Sequence, residues 1–127
     1  MNTNAFCKVI LSEKASRKTQ NQVKNNKLDA HGCIFVRKDT PQITNIPSFL
    51  VKTNSWSGWL PEEEVTLDFH VICFESPFEK ENLWGLVTSH GTQVFNVKIL
   101  NEGSPHEGKL WQVFKEDVIK EMHVDEL

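Results

Sequence analysis

Residues 64–75 read Glu-Val-Thr-Leu-Asp-Phe-His-Val-Ile-Cys-Phe-Glu, and no other stretch constrains the fold as tightly. Val65, Leu67, Phe69, Val71 and Cys73 occupy alternate positions, with Thr66, Asp68 and His70 between them. A period of two marks a strand with one buried face, so the chain must build a sheet around this segment.

Shorter runs supply partners. Ala5 to Ser12, Cys33 to Arg37 and Ser48 to Thr53 are rich in β-branched and aromatic residues and read as strands. The Thr40-Pro41 and Ile46-Pro47 pairs mark turns between the last two. A hairpin over Leu83–Ser89 and Thr92–Leu100, closed by His90-Gly91, would set Leu86 opposite Phe95, Trp84 opposite Val97 and Val87 opposite Val94.

Two segments share the pattern Ser-Pro-x-Glu, at Ser76 to Glu79 and Ser104 to Glu107. Ser as N-cap, Pro at the first helical position and Glu at the third is capping-box chemistry. Strand-like residues resume at Leu83, so the first box opens only about one turn. The second predicts a longer helix from Pro105 to His123, with Leu110, Trp111, Phe114, Val118 and Met122 as its apolar stripe.

The expected fold is therefore α+β and β-rich. About six mostly antiparallel strands form a curved sheet or small open barrel, with one C-terminal amphipathic helix. Trp84, Leu86, Phe95 and Val97 should make the core with Val65, Leu67, Phe69 and Val71, joined by Leu110, Phe114 and Val118 from the helix. No internal repeat is expected to span the chain. At 127 residues it fits a single domain, 1–127, able to bury a core without disulfides. Residues 12–29 contain only Ala15, Val23 and Leu28 as apolar side chains, so a mobile loop or a solvated helix is expected over 13–30.

Charge is divided along the chain. Residues 1–60 carry nine Lys and Arg against three acids, a net of +6, and residues 61–127 carry five Lys against fourteen acids, a net of −9. Such a division offers a basic surface to an anionic partner and an acidic surface to a cationic one. Within 13–30, Lys14, Arg17, Lys18, Lys24 and Lys27 are interleaved with Gln20, Asn21, Gln22, Asn25 and Asn26. Cations neutralise phosphates, and amides hydrogen-bond phosphate oxygens or base edges. Trp56 and Trp59 lie in a Ser/Gly-rich loop and offer rings for stacking on bases.

The leading expectation is a non-catalytic binding protein. Its ligand is single-stranded or structured nucleic acid, or a nucleotide, held by Lys14, Arg17, Lys18, Lys24, Lys27, Trp56 and Trp59. The alternative is a small inhibitor of the immunity or anti-defence type. It would dock its acidic half, through Glu62, Glu63, Glu64, Glu116 and Asp117, on the basic surface of a partner protein.

Catalysis has less support. Asp68 and His70 are neighbours on one strand face, the only opening for a hydrolase, and no nucleophile motif accompanies them. His31 and Cys33 lack further ligands at metal spacing, and no metal or other cofactor is implied. Cys7, Cys33 and Cys73 are odd in number and set in apolar runs, as expected of reduced thiols in a cytoplasmic protein. Neither a signal peptide nor a membrane span is expected.

Overall fold

The computed structural model describes residues 4–125, and these residues form two compact units, one reaching to Asp68 and the other running from Phe69 to Asp125. Among the described residues no helix is long and apolar enough to cross a membrane.

The first unit contains β1 (Ala5–Leu11), α1 (Arg17–Asn25), β2 (Cys33–Asp39), β3 (Ser48–Lys52) and β4 (Ser57–Pro61). A 3-10 turn (Glu62–Glu64) then leads into β5 (Val65–Glu75), whose first residues belong to this unit. β1, β2, β3 and β4 pair antiparallel as successive neighbours, and β5 takes the other side of β1. The Ser12 N–H donates to the Glu64 carbonyl at 2.9 Å, where β1 ends and β5 begins. Alternation places Ala5, Cys7 and Val9 inward on β1, where they meet Cys33, Phe35, Val51, Leu60, Val65 and Leu67 in the buried set.

The second unit takes the rest of β5 and adds β6 (Asn82–His90), β7 (Val94–Ile99) and β8 (Leu110–Phe114). A second 3-10 turn (Lys115–Asp117) leads to β9 (Val118–Val124). β5 to β8 form an antiparallel meander, and β9 returns to pair with β5, setting His123 opposite His70.

The two units therefore follow one plan, although no repeat is expected from the sequence. Each has an opening strand, a connection, a three-strand meander, a 3-10 turn and a strand that returns to the opening one. β5 ends the first circuit and begins the second. The sequence carries a faint echo at the two corners, Leu60-Pro-Glu-Glu-Glu-Val65 and Val113-Phe-Lys-Glu-Asp-Val118. In both, the leading aliphatic residue is buried.

The fold class differs from the expected one. Among the described residues the chain is mostly β, with nine strands and one short helix in its N-terminal half, and β8 and β9 stand where the C-terminal helix is expected. Ser104 does accept the His106 N–H at 3.1 Å, and Glu107 reaches back to the Gly103 N–H at 3.3 Å. The capping chemistry forms, but Gly108 adopts a left-handed φ of 76° and stops the turn. Bonds from Gly108 to the Ile99 carbonyl and from Ile99 to the Lys109 carbonyl then lead the chain into β8. Strand period replaces helical period, so Val113 turns inward at 5% exposure while Leu110 and Phe114 stand out at 74% and 54%. Those two residues and Val118, assigned to a helix face from the sequence, do not form the core.

The β6–β7 hairpin also has another register. Val87 faces Val97, Leu86 faces Lys98 and His90 faces Phe95, with an irregularity between Val87 and Ser89. The loop is wider than two residues because the Gly91 N–H reaches the Val94 carbonyl at 2.8 Å. Thr88 Oγ1 donates to the Asn96 carbonyl at 3.1 Å and Asn96 Nδ2 to Ser89 Oγ at 2.8 Å, which fixes the offset.

This register brings β6 and β7 close at Gly85, where a Cβ would stand 2.8 Å from Val97 Cβ and Cγ2. Gly85→Ala should therefore cost about 1–3 kcal/mol through overpacking. A chemical denaturation midpoint equal to that of the wild type would show that the strands can separate without penalty.

Candidate anion-binding helix of the first unit

α1 is set by its ends. Ser16, in extended conformation, caps the N-terminus by accepting the Thr19 N–H at 3.3 Å. The Ser16 N–H in turn donates to Glu64 Oε1 at 2.6 Å, so the first 3-10 corner holds the helix start. At the other end Lys27 takes a left-handed φ of 54°, its N–H bonded to the Lys24 carbonyl and the Leu28 N–H to that of Val23. This is a Schellman ending with a lysine where glycine is usual. Val23 and Leu28, the positions whose apolar side chains accompany this motif, are both fully buried. Two aliphatic residues and Thr19 thus seat a helix that composition leaves without an apolar face.

The rest of α1, apart from the half-buried Gln22, points to solvent. Arg17, Lys18, Gln20, Asn21, Lys24 and Asn25 are exposed, as are the flanking Lys14 and Lys27. No carboxylate lies within the helix. None of the five cations takes part in the ion pairs found among the described residues.

Burial opposes ionisation of Glu64, but hydrogen bonds from Ser16 and Thr19 outweigh it and hold the carboxyl below its usual value. A lowered folded-state pKa means stabilisation that is present above the unfolded carboxylate pKa and lost as pH falls through the lowered value. Glu64→Gln should therefore reduce stability by about 0.3–1 kcal/mol near neutral pH, the scale of an acid at a helix N-terminus. The difference should vanish in acid. Thermal melts across pH 3–7 with a constant offset would refute this coupling.

The tryptophans already have partners. Trp56 folds back over Gly58, where a Cβ would meet its Cζ2, and the Arg37 guanidinium lies 5.4 Å above the Trp59 ring. Both rings are half-buried and belong to the β3–β4 hairpin, whereas α1 packs on β1 and the Glu64 corner.

The acidic triplet is largely engaged within the fold. Glu62 Oε1 accepts from Lys38 Nζ at 2.7 Å and Glu64 holds α1, leaving the exposed Glu63 carboxylate. Glu116 and Asp117 are exposed on the second 3-10 turn. To Asp68 the first unit has nine Lys and Arg against seven acids, and the second has five Lys against nine acids up to Asp125. The steep division along the sequence is thus reduced to about +2 and −4, because the acidic triplet and Asp68 fold with the basic unit.

His70 does not lie on a polar solvent face. It is 7% exposed, stacked on His123 at 5.0 Å and edge-on to Phe95 at 5.2 Å, with His90 at 5.6 Å. Strand alternation fails to mark this position because β5 is buried on both faces from Phe69 to Phe74. His31 is exposed, away from the buried Cys33. Among the described residues no group of three His, Cys, Asp or Glu side chains could hold a metal ion.

All three cysteines are buried free thiols, and Cys7 Sγ lies 3.7 Å from Cys33 Sγ across the β1–β2 pair. That hydrogen bond and burial push the Cys7 thiol far up, so it stays protonated and is a poor nucleophile.

A second constellation, unmarked in the sequence, lies in the second unit. His106 Nε2 is 2.9 Å from both oxygens of Glu79, and Ser76 Oγ donates to Glu79 Oε2 at 2.9 Å. The His106 contact, then that of Ser76, holds the Glu79 carboxyl below the usual carboxylate range. The only advance signal was the pair of Ser-Pro-x-Glu boxes, whose turns these residues occupy.

Compared with family models, curated proteins and solved structures, the chain matches none.

Proposed function

We propose that this protein is a non-catalytic binding module that holds nucleic acid, single-stranded or structured, or a nucleotide, along the outward face of α1. The observation carrying this reading is the exposed set of Arg17, Lys18 and Lys24, displayed with amides on a helix capped at both ends, with Lys14 and Lys27 flanking it. A capped helix presents its cations without first ordering a loop, which lowers the entropic cost of binding. Lys and Arg would contact phosphates, while Asn21 and Asn25 offer donors and acceptors to the backbone or to base edges.

Trp56 and Trp59 have a smaller part in this reading than their composition suggests. Stacking on a base would require displacing Arg37 from Trp59 or using the opposite ring face. The inhibitor alternative relies chiefly on Glu63, Glu116 and Asp117, since Glu62 and Glu64 have internal partners. A hydrolase based on His70 would need that packed ring to become accessible.

The test is direct titration of the full chain with fluorescently labelled mixed-sequence single-stranded and hairpin oligonucleotides, followed by anisotropy. Dissociation constants of about 10⁻⁴–10⁻⁶ M at physiological salt, the range of backbone-driven binding, are expected. Trp59→Ala should weaken binding only if its ring stacks on a base, and then by about 1–3 kcal/mol.

A further inference from the structure

The second unit exposes an apolar surface that the α1 reading does not use. A groove of about 650 Å³ runs between the end of β5 with its following loop and β8 with the second 3-10 corner. Phe74 and Trp111 form its floor, with ring centroids 5.9 Å apart. Phe114 and Ile119 line its far side at 54% and 60% exposure. Phe78, 77% exposed, extends the patch by an edge contact to Trp111 at 6.2 Å. Aromatic and aliphatic side chains gathered in this way mark an interaction site more often than scattered surface residues do.

Its walls are held in place. The Glu79–His106 pair ties the β5–β6 loop to the β7–β8 loop, and His106 packs on Trp111 at 4.8 Å. Ser76 anchors the near wall by accepting the Phe78 and Glu79 N–H groups.

Two features identify the occupant. The first is the way β8 enters the groove. Trp111, Gln112, Val113 and Phe114 are consecutive and alternate between sheet faces, yet all four line it. Consecutive strand residues share a groove only where it meets the strand at its edge. β8 stands last in the strand order, with β7 on its other side, so its outer backbone groups can pair with an added strand. The second is charge. Glu75 and Asp117 face the groove against the single cation Lys80, and the unit as a whole is acidic.

We infer that this groove binds an extended segment of a partner protein, added as a strand along β8. Its apolar side chains rest on Phe74 and Trp111, and a Lys or Arg faces Glu75 and Asp117. Main-chain pairing supplies affinity, and the aromatic floor with its acidic rim supplies selectivity.

The experiment uses the full chain with three short synthetic peptides, alternating Val–Lys, Val–Glu and Gly–Lys. Calorimetry gives affinity, and amide hydrogen exchange reports on β8. Val–Lys should bind about tenfold or more tightly than either other peptide, and should slow exchange of the outward β8 amides. Asp117→Lys should reverse the preference toward Val–Glu. Phe114→Glu, at an exposed position, should weaken Val–Lys binding without lowering the melting temperature. Equal binding of Val–Lys and Gly–Lys would overturn the proposal, since it would reflect charge alone. Unchanged β8 exchange would also contradict it, as would a concentration-dependent dimer that protects β8 without peptide, which would make a second copy the occupant.

Discussion

Phe95→Ala is expected to lower the unfolding free energy by about 3–5 kcal/mol, a large part of the total for a chain of this size. Phe95 is 5% exposed on β7, and the rings of His70 and His90 meet it edge-on at 5.2 and 5.0 Å. Lys115 Nζ lies 5.1 Å from its centroid, so one truncation removes core volume, two aromatic contacts and a cation–π contact. Phe69→Ala, at 4% exposure on β5, belongs to the same class. Urea denaturation gives the answer. Losses under about 1 kcal/mol at both positions would mean that these rings are not core.

The second large effect is on binding. Arg17→Glu combined with Lys18→Glu should weaken oligonucleotide binding by about tenfold or more, since two phosphate contacts become two repulsions. Stability should not suffer. Both residues are exposed and outside the ion pairs found among the described residues, and acids in the first turn of α1 suit the positive end of the helix dipole. A variant that melts like the wild type but no longer binds separates the helix's charge from its structure. Unaltered affinity would remove α1 from the interface.

Strand-rich architecture was legible where alternation was long or β-branched residues clustered, as at Ala5 to Ser12, Cys33 to Arg37 and Ser48 to Thr53. The C-terminal region misleads for a specific reason. Leu110, Phe114, Val118 and Met122 recur at helical spacing, while the residues that turn inward, Trp111 and Val113, keep strand period over only five residues. An apolar run that short fits either template. Gly108 was the local clue, since its left-handed φ stops the helix that Ser104 begins. For α1 the sequence allows a mobile loop or a solvated helix, and the structure has the helix. Its tertiary anchorage needs only Thr19, Val23 and Leu28, too few to give a period, and its Schellman ending uses Lys27 instead of a diagnostic glycine.

The candidate site was legible as composition but not as geometry. The basic residues are exposed as their sequence suggests, whereas the role of Glu64 in holding α1 joins positions 48 residues apart. No local pattern encodes such a contact. The β8 groove was hidden for the same reason, since it joins Phe74 to Trp111 and Asp117, from two stretches far apart in the chain.

Salt dependence of oligonucleotide binding decides whether the α1 cations hold phosphates. Titrating the full chain at several salt concentrations from about 50 to 200 mM should give a log–log slope near −0.7 for each phosphate contacted on a single strand. With three to five of the α1 cations engaged, the slope should lie between about −2 and −3.5, and the Arg17→Glu, Lys18→Glu variant should flatten it by about 1.4. No detectable binding at about 50 mM salt, or a slope that the double reversal leaves unchanged, would contradict a nucleic-acid surface on α1.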